Sequence, residues 1–151
     1  MAIKKQANFT INAPLETVFD AIANVSEFKK AAPHIVKVEM LSDIQKGVGT
    51  KFRETRLMNG KESSTELEIK EYVENERARF VADQGGTIWD TLFTTEKAED
   101  GVLLNLEMEA RPYKFMSKLV TPMIMGMVGK AIQSDIEAVK TYCEENANAA
   151  A

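Results

Sequence analysis

Three small groups of side chains in this sequence could act on a molecule held out of water. Phe52, Glu54 and Arg56 alternate along one segment, so in a strand they share a face. If Phe52 points inward, a carboxylate and a guanidinium go with it and must pair, because isolated buried charges are very costly. Such a pair in a dry chamber can polarise a carbonyl or move a proton. The opposite phase, with Arg53, Thr55 and Leu57 inward, stays open, as does a pair at a solvated rim. Trp89, Thr91 and Phe93 share a second strand face. There the rings supply contact area, and the indole N–H and hydroxyl can orient a polar group or simply be satisfied in ordinary packing. Methionines form the third group: Met116, Met123, Met125 and Met127 near the C-terminal end, with Met58 and Met108 on strands. Flexible thioethers suit a tolerant pocket wall or plain core filling.

Other residues offer less. His34 is the only histidine and has no Ser or Cys nucleophile motif beside it, so a surface or capping role is expected. Cys143 is the only cysteine; it can form no internal disulfide and reads as a small apolar filler in a helix. Gly47-Val48-Gly49 lacks the further glycines and the Lys-Ser/Thr of a phosphate loop and reads as a turn. One His, one Cys and no ligand-spaced carboxylates suggest no metal and no cofactor. A net charge of -4 argues against a nucleic-acid surface. No secretory h-region follows Lys4 and Lys5, and the apolar run around Pro122 looks too short to span a bilayer, so the expected location is the cytoplasm.

The elements that would position these residues can be read from periodicity. Ile3 to Ile11 reads as a strand, followed by Asn12-Ala13-Pro14 and a helix with Val18, Phe19 and Ile22 on one face. A second short helix, Val25 to Ala31, stops before Pro33. Six strands in meander order follow, punctuated by the Asp43–Gly49 turn, Asn59-Gly60, Glu74-Asn75, Gly85-Gly86 and Asp100-Gly101. Leu67, Phe80 and Leu106 are inward candidates on three of them. From Tyr113 the period becomes helical. Met116, Leu119 and Val120 are expected on one apolar face, with Met123, Met127, Ile132, Ile136 and Val139 continuing it. Pro122 should break or kink this helix ahead of a main piece of roughly 20 residues, about 30 Å long. Residues 1–145 are expected to form one α+β domain, and 146–151 a frayed tail. A twisted sheet of seven antiparallel strands must curl around the only long helix.

The phrases INAPLETVFDAIANVSEF, VEMLSDIQKGVGTKFRE and VLLNLEMEARPYKF resemble the START-like (SRPBCC) superfamily, most of all its polyketide cyclase/dehydrase-type branch. The resemblance covers nearly the whole chain. It implies a helix-grip fold with a deep cavity between the sheet and the last helix, and binding or processing of lipids, polyketides and similar molecules. It carries no shared catalytic signature. Ala31-Ala32-Pro33 departs from the aromatic residues common in relatives there, which would widen the entrance or move ligand contacts.

Three functions follow. The first is binding of an apolar small molecule in that cavity, by Phe52, Glu54, Arg56, Leu67, Phe80, Trp89, Thr91, Phe93, Leu106, Met108, Met116, Met123 and Met127. The second is an enzyme, such as a cyclase or dehydratase, acting on such a ligand. The third is a protein-interaction module with a filled core.

Overall fold

A computed structural model describes residues 2–150 apart from Asn59. Strand β1 (Ile3–Ile11) leads into α1 (Leu15–Ala23) and α2 (Val25–Ala31). Strands β2 (Ile35–Met40), β3 (Lys51–Met58), β4 (Lys61–Val73), β5 (Arg77–Gln84), β6 (Thr87–Ala98) and β7 (Gly101–Pro112) follow. Helix α3 (Phe115–Ala150) ends the chain. All neighbouring strands are antiparallel, in the order β1-β7-β6-β5-β4-β3-β2. The α+β fold is thus a helix grip: a curled seven-stranded antiparallel sheet around a long C-terminal helix, with two short helices after β1.

Turn chemistry explains the meander. Met58 pairs with Lys61, so the β3–β4 connection is as tight as expected; Gly60 has φ +78°, and Asn59 lies outside the described residues. Gly86, at φ +85°, does more than turn the chain. A Cβ there would sit 2.8 Å from the Lys114 side chain. The bare backbone lets the Gly86 carbonyl accept from the Tyr113 amide at 2.8 Å and from the Ser117 hydroxyl at 2.7 Å. The β5–β6 turn therefore fixes the start of α3.

The interior has two parts. Ile11, Val18, Ile22, Val102, Leu104, Ile136, Val139 and Cys143 form a solid core where α1, β1 and β7 meet the second half of α3. Toward β3–β6 the sheet curls away from the helix and leaves open space.

Three expectations about α3 need correction. The helix runs through Pro122 without a break, as one element of 36 residues, Phe115–Ala150. Its first half also presents a different face. Ser117, Thr121 and Met125 are buried, whereas Met116, Leu119, Val120 and Met123 are exposed. Polar residues win the inner positions because each has a partner: Ser117 bonds to Gly86, and the Thr121 hydroxyl meets that of Thr87 at 2.9 Å. By length and composition α3 is also apolar enough to cross a bilayer, where the sequence reading found no such run. In this fold its second half is instead committed to the protein core.

Candidate functional site

Strand β3 sets the phase of the interior. Phe52 lies opposite Leu67, and Glu54 lies opposite Thr65 on β4 and Val38 on β2. Phe52, Glu54 and Arg56 face inward, which resolves the open alternative. Arg53 faces out and pairs with Glu39 and Glu66. The outward face is not uniformly wet, since Thr55 is buried and shares a 2.8 Å hydrogen bond with Ser64.

Two adjoining voids lie between sheet and helix. An inner chamber of about 90 Å³ is walled mainly by Phe28, Phe52, Phe80, Phe93 and Leu106. Its four rings contact edge to face in the order Phe28–Phe93–Phe80–Phe52, with centroids 5.7 to 6.2 Å apart. Such contacts add about 0.5–1.5 kcal/mol each beyond area burial and hold the wall in shape. A more open outer chamber of about 300 Å³ is walled by Trp89, Gln84, Ile124, Met127 and Val128. The two share Glu54, Arg56, Leu67, Thr91, Met108, Ile132 and Asp135, which form a waist between them.

The waist carries the charge. Arg56 Nε donates to Glu54 Oε1 at 2.8 Å. Its two terminal nitrogens reach Asp135 as a fork, Nη1 to Oδ1 at 3.1 Å and Nη2 to Oδ2 at 3.0 Å. The side chains of Arg56, Glu54 and Asp135 are only 21%, 13% and 9% exposed, so the pairs are screened far less than surface ones. Burial disfavours the charged guanidinium, but the carboxylates of Glu54 and Asp135 outweigh it and raise the Arg56 pKa. Arg56 is therefore a fixed cation and not a proton donor. The fork also ties α3 to β3 across the open space. Among the described residues, Glu54 makes one side-chain hydrogen bond and the Thr91 hydroxyl none, so both can meet a ligand.

The structure brings most of the expected residues together. Phe52, Phe80, Phe93 and Leu106 line the inner chamber, Trp89 and Met127 the outer one, and Glu54, Arg56, Leu67, Thr91 and Met108 the waist. Met116 and Met123 line neither chamber; they are 64% and 81% exposed. Asp135 was missed, although an acid beside Ile132 and Ile136 on an apolar helix face was a visible anomaly. Ile22, Val25, Phe28, Ile35 and Val38, from α1, α2 and β2, were missed as well. Ala31 and Ala32 are buried but line neither chamber.

His34 lines neither chamber; it sits in a groove of about 260 Å³ with Leu57, Met127 and Lys130, which reaches Arg56 and Asp135 of the waist from the other side. Cys143 is fully buried, and desolvation, with Glu144 adding, pushes its thiol up to about 12. Among the described residues no group of three or more His, Cys, Asp or Glu is arranged to hold a metal ion.

A sheet that grips one terminal helix around an apolar interior with a charged waist defines a START-like, helix-grip protein. Residues 2–144 match the family described as polyketide cyclase / dehydrase and lipid transport, and the chain belongs to that family. No curated protein is significantly similar in sequence. Among solved structures, the di-domain ARO/CYC StfQ from the steffimycin biosynthetic pathway superposes with a TM-score of 0.81 at 9% identity. That match covers 98% of this chain but 53% of StfQ, so the chain spans about half its length. TTHA0849 from Thermus thermophilus gives 0.76 at 18% identity, covering 99% of both chains. Ara h 8.0201 gives 0.73 at 17%, covering 95% of this chain and 98% of its own. At these identities the likeness is one of fold.

Proposed function

We propose that the protein binds an apolar small molecule of lipid, polyketide or aromatic type, with its body in the outer chamber and a hydroxyl or amine at the waist. The observation that carries this reading is the Glu54–Arg56–Asp135 cluster set into otherwise apolar walls. Two carboxyl groups face one guanidinium, and Glu54 keeps an oxygen free to accept. A hydrogen-bond donor on the ligand suits that balance, and a carboxylate does not. Size supports the division of roles. An apolar cavity of roughly 150 Å³ holds benzene, so the inner chamber of about 90 Å³ admits only a small end group. The outer chamber, at about 300 Å³, is at the lower end for a drug-sized ligand.

Trp89 is the only tryptophan and lines the outer chamber, so its fluorescence reports occupancy. The expected result is saturable quenching by 1-naphthol and clearly weaker quenching by 1-naphthoate. Equal affinity for both would remove the role given to the waist. No response to naphthols, fatty acids or aromatic probes, with no retained ligand in native mass spectra of protein taken from cells, would sink the binding reading.

A second reading, a cyclase- or dehydratase-like enzyme, is favoured by the same cluster. A chamber that holds a flexible chain folded lowers a cyclisation barrier with few acid–base groups. Arg56 would polarise a carbonyl and Glu54 or Asp135 would accept the proton. Unchanged turnover in both Glu54→Gln and Arg56→Met, on any substrate found, would rule out those roles.

A further inference from the structure

We propose that the first half of α3 is a docking face for an anionic lipid bilayer surface. Phe115, Met116, Leu119, Val120, Met123 and Met127 are 45% to 81% exposed, Met123 most of all. At 100° per residue they fall on one side of the helix, with Pro122 and Gly126 filling the gaps. Contiguous apolar surface of this kind marks an interaction site. The opposite side of the same turns, Ser117, Thr121 and Met125, is buried against the protein.

Charge selects the partner. Between Ala110 and Ser134 there is no Asp or Glu, although the chain as a whole carries -4. Lys114 precedes the apolar face, Lys118 runs along one edge, and Lys130 stands one turn beyond Met127 on the same side. All three are exposed, and none forms an ion pair among the described residues. An apolar helix face rimmed by lysines lies in the headgroup region of an anionic membrane, apolar side inward. A second copy of the chain fits less well, because a two-fold pairing would bring like-charged lysines together. A spanning pose is incompatible with this fold, since Ile132, Ile136 and Val139 of the same helix are buried in the core. Met127 also lines the outer chamber, so the docked face sets that chamber beside the lipid.

The test is flotation of the full chain with vesicles of phosphatidylcholine alone or with about one-third phosphatidylglycerol. Binding is expected to the anionic vesicles and to weaken at high salt. Lys118→Gln with Lys130→Gln should weaken it about 25-fold, at roughly fivefold per lysine. Met116→Ser with Met123→Ser should abolish it while circular dichroism stays unchanged, both side chains being exposed. The proposal fails if the chain does not float with anionic vesicles, or if neither double variant alters binding. It fails equally if the chain sediments as a dimer that the methionine variant splits, without vesicle binding. None of these outcomes depends on what occupies the chambers.

Discussion

At the scale of the residue, Arg56 is the side chain on which most else depends. It bridges Glu54 and Asp135 in a poorly hydrated place, so removing it leaves two carboxylates facing each other. Loss of one partner of a buried cluster costs about 3–5 kcal/mol. Arg56→Met should therefore lower the urea midpoint markedly, and Arg56→Met with Asp135→Leu should recover part of the loss. Cys143 gives a second test. With its thiol raised to about 12, it should resist thiol reagents at neutral pH in the folded protein and react once urea unfolds it. Glu144 gives a third, in pH. The Asn12 amide donates to it at 2.9 Å and Lys140 lies at 3.1 Å, and together they hold its carboxyl below the usual range. A depressed folded pKa stabilises above the unfolded value of about 4.3 and is lost as pH falls through the folded one. Glu144→Gln should thus lower the melting temperature at neutral pH and make little difference in acid.

At the scale of the element, the sheet was legible and the long helix only half so. Alternation such as Leu67 and Ile69 with Glu66, Glu68 and Lys70, with turns at Gly85-Gly86 and Asp100-Gly101, gives strand order directly, because neighbours in a meander pair locally. For α3, hydrophobicity placed Met116 and Met123 inward. The structure places Ser117 and Thr121 there, because their hydroxyl partners, Gly86 and Thr87, lie 31 and 34 residues away. No local pattern carries that information. The same holds for Asp135, whose partner Arg56 is 79 residues distant, and for the wall contributed by Phe28 and Val38, which only the closed sheet reveals. The two halves of α3 should differ under mutation. Ile136→Ala, in the solid core, should cost about 2–5 kcal/mol in chemical denaturation. Met123→Ala, 81% exposed, should stay within about 0.5 kcal/mol.

At the scale of the whole molecule, one end is densely packed and the other is open, with the Arg56–Asp135 fork tying helix to sheet between them. A ligand that binds only the folded chain raises its stability by mass action, by about 2.7 kcal/mol at a hundred times its dissociation constant. A thermal-shift screen should therefore find ligands by a rise in melting temperature, and Phe80→Ala should shift the preference toward bulkier end groups by enlarging the inner chamber.

The order of the strands has one more effect. β1 and β2 lie at opposite edges of the sheet, and only α1 and α2 run from one to the other. These helices have nine and seven residues, too short to persist unaided. Yet Ile22, Val25 and Phe28 complete the inner chamber. Val18 and Ile22 anchor α1 in the solid core, so α2 is the least self-supporting part of this seam, and amide exchange there should outpace that of β6 and β7. A guest could then come and go by a brief parting of that seam, while the rest of the molecule stays whole.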